Sequence, residues 1–210
     1  MAESDIGRRE EILRVAARVF RTKGYRTATL NDIADEFGFT RAALYYWFKS
    51  KEDILVAVIE NAGAEMLSHM ELAMRLPEPP AEKVARILDS HARLVLGNVN
   101  IFAVYLAETK ALPAKVRDRF EAGERQFVDQ LASIIQEGID QGDFDDVPAK
   151  ITALNLVGMT NSAVRWYRRG RGMSPEEFGQ LASRLGVNAL RPPPKAAGLK
   201  AASQHRAVRA

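Results

Sequence analysis

Residues 29–55 read Thr-Leu-Asn-Asp-Ile-Ala-Asp-Glu-Phe-Gly-Phe-Thr-Arg-Ala-Ala-Leu-Tyr-Tyr-Trp-Phe-Lys-Ser-Lys-Glu-Asp-Ile-Leu, and this span decides the fold. Thr29 precedes an apolar pattern at Leu30, Ile33, Ala34 and Phe37, and Asp32 stands three residues on, where a carboxylate can accept bonds from first-turn amides. That is a helix start. Gly38 offers a backbone position free of Cβ, so one helix can end and another begin at a steep angle within a few residues. Thr40 is placed to cap the second helix. Ser50 with Asp53 repeats the capping-box pattern and opens a third. Two helices on either side of a glycine turn define a helix-turn-helix.

The second helix has the composition of one that reads a groove. Its first turn, Arg41-Ala42-Ala43, is short except for one guanidinium, which lets the backbone approach a base edge while Arg41 reaches in. Leu44 and Phe48, four apart, are expected to face inward. Tyr45, Tyr46, Lys49 and Lys51 then point outward as hydroxyls and ammoniums suited to phosphate. Upstream, residues 8–23 carry Ile12, Val15, Ala16, Val19 and Phe20 at helical spacing, and Gly24 ends that bracing helix.

These residues resemble the TetR-type one-component transcriptional regulators. The family pattern is a threonine, Ile-Ala before a glycine turn, Leu-Tyr-x-x-Phe and Lys-Glu-x-Leu; here it is Thr29, Ile33-Ala34, Gly38, Leu44-Tyr45-Tyr46-Trp47-Phe48 and Lys51-Glu52-Asp53-Ile54-Leu55. Phe37 departs from the pattern where alanine is usual, and Trp47 where histidine or tyrosine is common. The resemblance implies an all-α chain of about nine helices. It divides into a helix-turn-helix head over 1–51, a ligand-binding and dimerisation body over 52–190 and a disordered basic tail over 191–210. It also implies a repressor that grips a palindromic DNA operator as a homodimer, with Thr29, Thr40, Arg41, Ala42, Tyr45, Tyr46, Lys49 and Lys51 at the DNA.

Composition narrows the classes. The chain of 210 residues contains no cysteine, which excludes disulfides, thiolate catalysis and thiolate-bound zinc. Its three histidines, His69, His91 and His205, show no paired ligand spacing, so neither a metal site nor a cofactor is expected. Apolar runs are interrupted every few residues by Arg, Glu, Asn or Lys, and the start lacks the order of a signal peptide. A cytoplasmic protein without a membrane partner is expected. The net charge of +3 hides an asymmetry: +3 over 1–51, −5 over 52–190 and +5 over 191–210. Binding to DNA would therefore depend on where particular cations point rather than on a general field.

Beyond the head, a long helix from Ser50 to about Met74 carries Ile54, Leu55, Val58, Ile59, Ala62 and Met66 on one side and connects head to body. Pro77, Pro79 and Pro80 end it. Helical segments follow at roughly 81–97, 100–110, 113–141, 148–169 and 175–189, and no strand pattern appears. In the segment 148–169, small and polar residues, among them Gly158, Asn161, Ser162 and Arg165, interrupt the apolar faces. They meet partners across a dimer interface, line a cavity holding a polar ligand, or face water. The surplus of Ala153, Leu156, Val164, Phe178, Leu181 and Leu185 points to dimerisation through the last two helices. His91, on the apolar stripe with Ile87 and Leu88, reads as a hydrogen-bonded core group before it reads as a ligand.

Arg165-Trp-Tyr-Arg-Arg-Gly170 looks like a segment of the TetR-type subgroup that governs fatty-acid and steroid breakdown and responds to acyl-coenzyme A thioesters. Guanidiniums can pair with phosphates while an indole stacks on an adenine; equally, the cations can simply favour a helix C-terminus. The effector site expected on this resemblance is Phe102, Tyr105 and Phe127 along the apolar part, with Asn161, Arg165 and Trp166 as polar and stacking anchors. A small amphipathic effector such as an acyl-CoA would release the operator, with control of a drug-efflux gene by a lipophilic drug as the alternative. An acyl-thioester enzyme would use the same body, yet no Gly-x-Ser-x-Gly elbow or nucleophile with its base occurs. A nonspecific DNA-coating protein is the remaining class.

Overall fold

The computed structural model describes residues 3–168 and 172–192. Among these, ten α-helical segments and one 3-10 turn carry the chain, with no strand. The head comprises α1 (Glu3–Lys23), α2 (Leu30–Phe37) and α3 (Arg41–Trp47). The long connector α4 (Lys51–Arg75) leads to the body: α5 (Pro80–Gly97), α6 (Val99–Ala107), α7 (Ala114–Asp140), α8 (Ala149–Asn161), α9 (Ala163–Trp166) and α10 (Pro175–Leu190). The tail expected from residue 191 onward lies almost wholly outside the described residues, as do 169 and 170 of the Arg165–Gly170 segment.

The head assembles from its caps. Thr29 Oγ1 accepts the Asp32 amide at 3.2 Å while Asp32 Oδ2 accepts the Thr29 amide at 2.8 Å, so the capping box is complete. Lys23 Nζ sits 2.6 Å from the other carboxylate oxygen, and these bonds hold the Asp32 carboxyl at about 2. Gly38 ends α2 at φ 77°, ψ 26°, and the Phe39 amide returns to the Ala34 carbonyl at 2.8 Å. Only a residue without Cβ takes this left-handed turn at little cost. Thr40 Oγ1 then accepts the Ala43 amide at 3.2 Å and α3 begins. Ser50 caps α4 by accepting the Asp53 amide at 3.0 Å, although the reciprocal half of the expected box is missing there. Ile12, Leu13, Ala16, Phe20, Ile33, Ala34, Leu44 and Phe48 close the small core between the three helices and α4.

The body is set by long-range packing. α5 and α10 lie closest, and Gly186 makes that possible: a Cβ there would collide with Leu88 Cδ1. Phe102, Val95, Leu131 and Ile135 fill the interior between α5, α6 and α7. Pro80 occupies the first turn of α5, where its missing N–H costs nothing.

One expected element divides in two. The helix read over 148–169 breaks at Ser162, with α8 ending at Asn161, α9 lasting a single turn and Tyr167 already extended. Thr160 Oγ1 donates to the Val157 carbonyl at 2.8 Å and Ser162 Oγ to the Met159 carbonyl at 2.7 Å. Side chains that bond the carbonyls three residues back compete with the helical ladder and bend it. The surplus apolar residues also divide: Ala153, Leu156 and Phe178 are buried within the single chain, whereas Leu185 is exposed. The unpartnered apolar residues on α8 are Ile151 and Leu154, 58% and 49% exposed.

Candidate DNA-reading face and effector cavity

α3 turns Leu44 inward and its own residues expected at DNA outward. Tyr46 is 79% exposed, and Tyr45, Arg41, Ala42 and Lys49 are also exposed. Arg41 Nη2 donates to the Tyr45 hydroxyl at 2.9 Å, with its guanidinium carbon 5.4 Å from that ring's centre. This pairing holds the guanidinium on the surface without neutralising it. Trp47, half-buried, meets Tyr46 edge-on at 5.2 Å, and Phe37 meets Phe39 at 4.3 Å, so both departures from the family pattern serve local aromatic packing. Thr29 and Thr40 are exposed at the N-termini of α2 and α3, with their hydroxyls engaged as caps.

Lys51 differs from its expected role. Its ammonium donates to the carbonyls of Tyr25, Arg26 and Ala28 at 2.7, 3.1 and 2.7 Å, and lies 4.7 Å from the Tyr25 ring centre. An ammonium has three N–H groups, and here each has a backbone partner. Lys51 ties the loop between α1 and α2 to the start of α4 instead of facing phosphate.

In the body, a cavity of about 410 Å³ opens between α4, α6 and α7. Ile59, Met66, Leu67, Val116 and Phe120 supply apolar walls, with Tyr105 and Glu124 as inner polar groups and an ion pair between Arg119 and Glu60. Two mid-helix glycines leave the space open: a Cβ on Gly63 would meet nothing within 4 Å, and one on Gly123 only Leu67 Cδ1 at 3.6 Å. Burial, with Glu124 nearby, pushes the Tyr105 phenol above its ordinary range, and burial raises the Glu124 carboxyl as well.

The expected effector residues are not brought together within one chain. Tyr105 lines the cavity, but Phe102 and Phe127 are fully buried behind it, with His91 5.5 Å from the Phe127 ring and 6.3 Å from Phe102. They are core. Trp166, half-exposed, packs edge-on against Phe178 at 5.5 Å, and Arg165 is exposed, both away from the cavity. Asn161 keeps a buried Oδ1 without a partner among the described residues. His91 proves to be a hydrogen-bonded core group: Nδ1 lies 2.7 Å from Thr160 Oγ1. Since that hydroxyl donates to Val157, Nδ1 carries the proton, and burial pushes the imidazole down to about 4.

Residues that the sequence reading passed over matter here. Gly63, Gly123 and Glu124 shape the cavity, and their signal was present: a glycine inside a helix costs about 1 kcal/mol against alanine, so a mid-helix pair asks for a reason. Arg21 joins head to body by donating from Nη1 to Asn100 Oδ1 at 2.9 Å and from Nη2 to the Val164 carbonyl at 3.0 Å. Nothing in the periodicity of α1 distinguishes that arginine from its neighbours.

A groove-reading helix on a three-helix head, joined by a long connector to a helical body with an apolar cavity open to the surface, defines a helix-turn-helix regulator of transcription. The comparisons with known proteins agree. A family described as "Bacterial regulatory proteins, tetR family" matches residues 12–58, and "Tetracyclin repressor-like, C-terminal domain" matches 77–190. The chain belongs to the TetR family of DNA-binding transcription repressors and is not an enzyme. It is 27% identical over 175 residues to the HTH-type transcriptional repressor KstR2 of Mycolicibacterium smegmatis, covering 82% of this chain and 85% of that protein. The TetR-family regulator PfmR of Thermus thermophilus superposes with a TM-score of 0.76 at 30% identity, over 84% of this chain and 97% of that one. AibR, solved in complex with isovaleryl coenzyme A and operator DNA, shares the fold with a TM-score of 0.74 at 22% identity, over 89% and 99% of the two chains. No helix among the described residues is long and apolar enough to cross a membrane.

Proposed function

We propose that this repressor binds a palindromic operator as a homodimer and is released by an amphipathic acyl thioester whose acyl group enters the cavity between α4, α6 and α7. The observation that carries the reading is that cavity: its walls are apolar, it is connected through α4 to the head, and its volume lies within the range of small-molecule sites. AibR, of the same fold, binds both isovaleryl coenzyme A and operator DNA. Arg41, Tyr45, Tyr46, Lys49 and Ala42 on α3, with Thr29 at the start of α2, form the DNA face. The unpartnered Ile151 and Leu154 of α8 and Leu185 of α10 supply the dimer contact. The head boundary near residue 51 follows from the cap at Ser50, although α4 runs on without a break and makes a stiff lever.

Arg21 provides the coupling. It binds α6, which forms one wall of the cavity through Tyr105, and α9, next to Arg165 and Trp166. A ligand that displaces α6 or α9 shifts the head only by its difference in affinity between the two head positions. A difference of roughly 2 to 3 kcal/mol corresponds to near hundredfold release. A mobility-shift titration of the operator complex with acyl-CoAs, free coenzyme A and free fatty acids tests the reading. Release by thioesters alone is expected; release by none of them refutes it. Arg165→Ala and Trp166→Ala, titrated alongside, decide whether that surface holds the coenzyme moiety or serves only the dimer.

A further inference from the structure

The polar part of the cavity is sharper than a general lipid site requires. Glu124 lines it half-buried, and the only cation on the wall among the described residues, Arg119, is paired with Glu60. Tyr105 is buried; its hydroxyl, within reach of Glu124, has as its other contact the Met66 sulfur at 4.0 Å, a weak acceptor. A partly dehydrated carboxylate and a phenol thus share one apolar chamber with acceptor capacity left over. An all-hydrocarbon chain would cover that carboxylate and give it nothing, which is the costly half of an unmade hydrogen bond. A ketone could accept from Tyr105 but, having no donor, would leave the carboxylate unmet.

We propose that the cavity selects an acyl group bearing a hydroxyl on its chain, which donates to Glu124 and accepts from or lies beside Tyr105. This specificity rests on the cavity being the effector site. Burial raises the Glu124 carboxyl while the Tyr105 bond lowers it, so a donor that stabilises the carboxylate relieves the burial. The same carboxylate disfavours a free fatty acid entering head first, since two like charges would meet in an apolar space.

The experiment measures binding by calorimetry and operator release by mobility shift with decanoyl-CoA, its chain-end and mid-chain hydroxy derivatives, and its chain-end oxo derivative. Wild type is expected to bind one hydroxyacyl-CoA roughly tenfold more tightly than decanoyl-CoA, the size of a single charge-assisted bond net of dehydrating the ligand. The oxo form, with no donor for Glu124, should gain less than the preferred hydroxy form. Glu124→Gln, nearly isosteric, should shrink the hydroxyl preference below about threefold and improve the oxo form, because an amide N–H can donate to it. Tyr105→Phe is the second variant, expected to lower the ratio of hydroxyacyl-CoA to decanoyl-CoA affinity measured within that same variant. If decanoyl-CoA binds and releases as well as every hydroxy form, or if Glu124→Gln keeps the full preference, the hydroxyl specificity is overturned while the effector reading stands. If no thioester binds at all, the effector reading itself fails.

Discussion

The head and the body reach the same kind of helical packing by different routes. In the head, each boundary is written within a few residues: Thr29 and Asp32 start α2, Gly38 stops it, Thr40 starts α3 and Ser50 starts α4. In the body, α6, α7 and α8 begin after Asn98, Pro113 and Pro148 with no side-chain cap bond, and their positions are fixed by what they pack against. The head therefore acts as a rigid reader. The body has long-range contacts to rearrange, and the cavity lies among them.

Truncating the body core should have the largest effect. Phe102→Ala, at a side chain with no exposed surface between His91 and Tyr105, is expected to cost about 3 to 5 kcal/mol in chemical denaturation. If the loss fell below about 1 kcal/mol, long-range packing would not be what holds the body.

Acid should next separate body from head. His91 is neutral when folded, with its imidazole pushed from 6.5 down to about 4 by burial. The unfolded chain takes up the proton first, so this contribution is intact above about pH 6.5 and is lost as pH falls toward 4, roughly 3 kcal/mol in all. His91→Gln should flatten that slope in melts between pH 7 and 4. Asp32 in the head has the opposite chemistry but a lower window: its carboxylate stabilises above the unfolded value of 3.8 and is lost as pH falls through about 2. A head that melts before the body between pH 6.5 and 4 would contradict this order.

The pair Lys51 and Lys49 sharpens the comparison inside the head. Lys51→Met removes the donor for three loop carbonyls and should cost about 2 to 3 kcal/mol of stability. Lys49→Ala should leave stability unchanged and lower the salt slope of operator binding by about one unit. A salt-slope change for Lys51→Met without loss of stability would return Lys51 to the phosphate.

The smallest expected effect is at a cap. Thr40→Ala should destabilise the head by about 1 kcal/mol, read by thermal melting, and leave effector binding to the body untouched.

The all-α class, the helix-turn-helix and the residues of the α3 face were legible because caps, a glycine turn and helical periodicity are local signals. The break at Ser162 was less so. Hydroxyls at 160 and 162 were visible, but whether they bond backward or to a neighbour depends on the surroundings. The aromatic residues expected to line an effector site show the limit of pattern. Phe102, Tyr105 and Phe127 share one chemistry in sequence, yet only Tyr105 faces space and the other two fill the core around His91.

The sequence alone determined where helices start and stop in the head, which side of α3 carries its polar groups and that no thiol chemistry is available. Those properties follow from bonds between residues three or four apart. Only the tertiary structure decided that Lys51 holds a loop, that Arg21 fastens α1 to α6 and α9, and that Glu124 and Tyr105 share a chamber kept open by Gly63 and Gly123. Each of these joins residues distant in the chain, and a charge or a gap has meaning only once the packing of helices sets what lies opposite it.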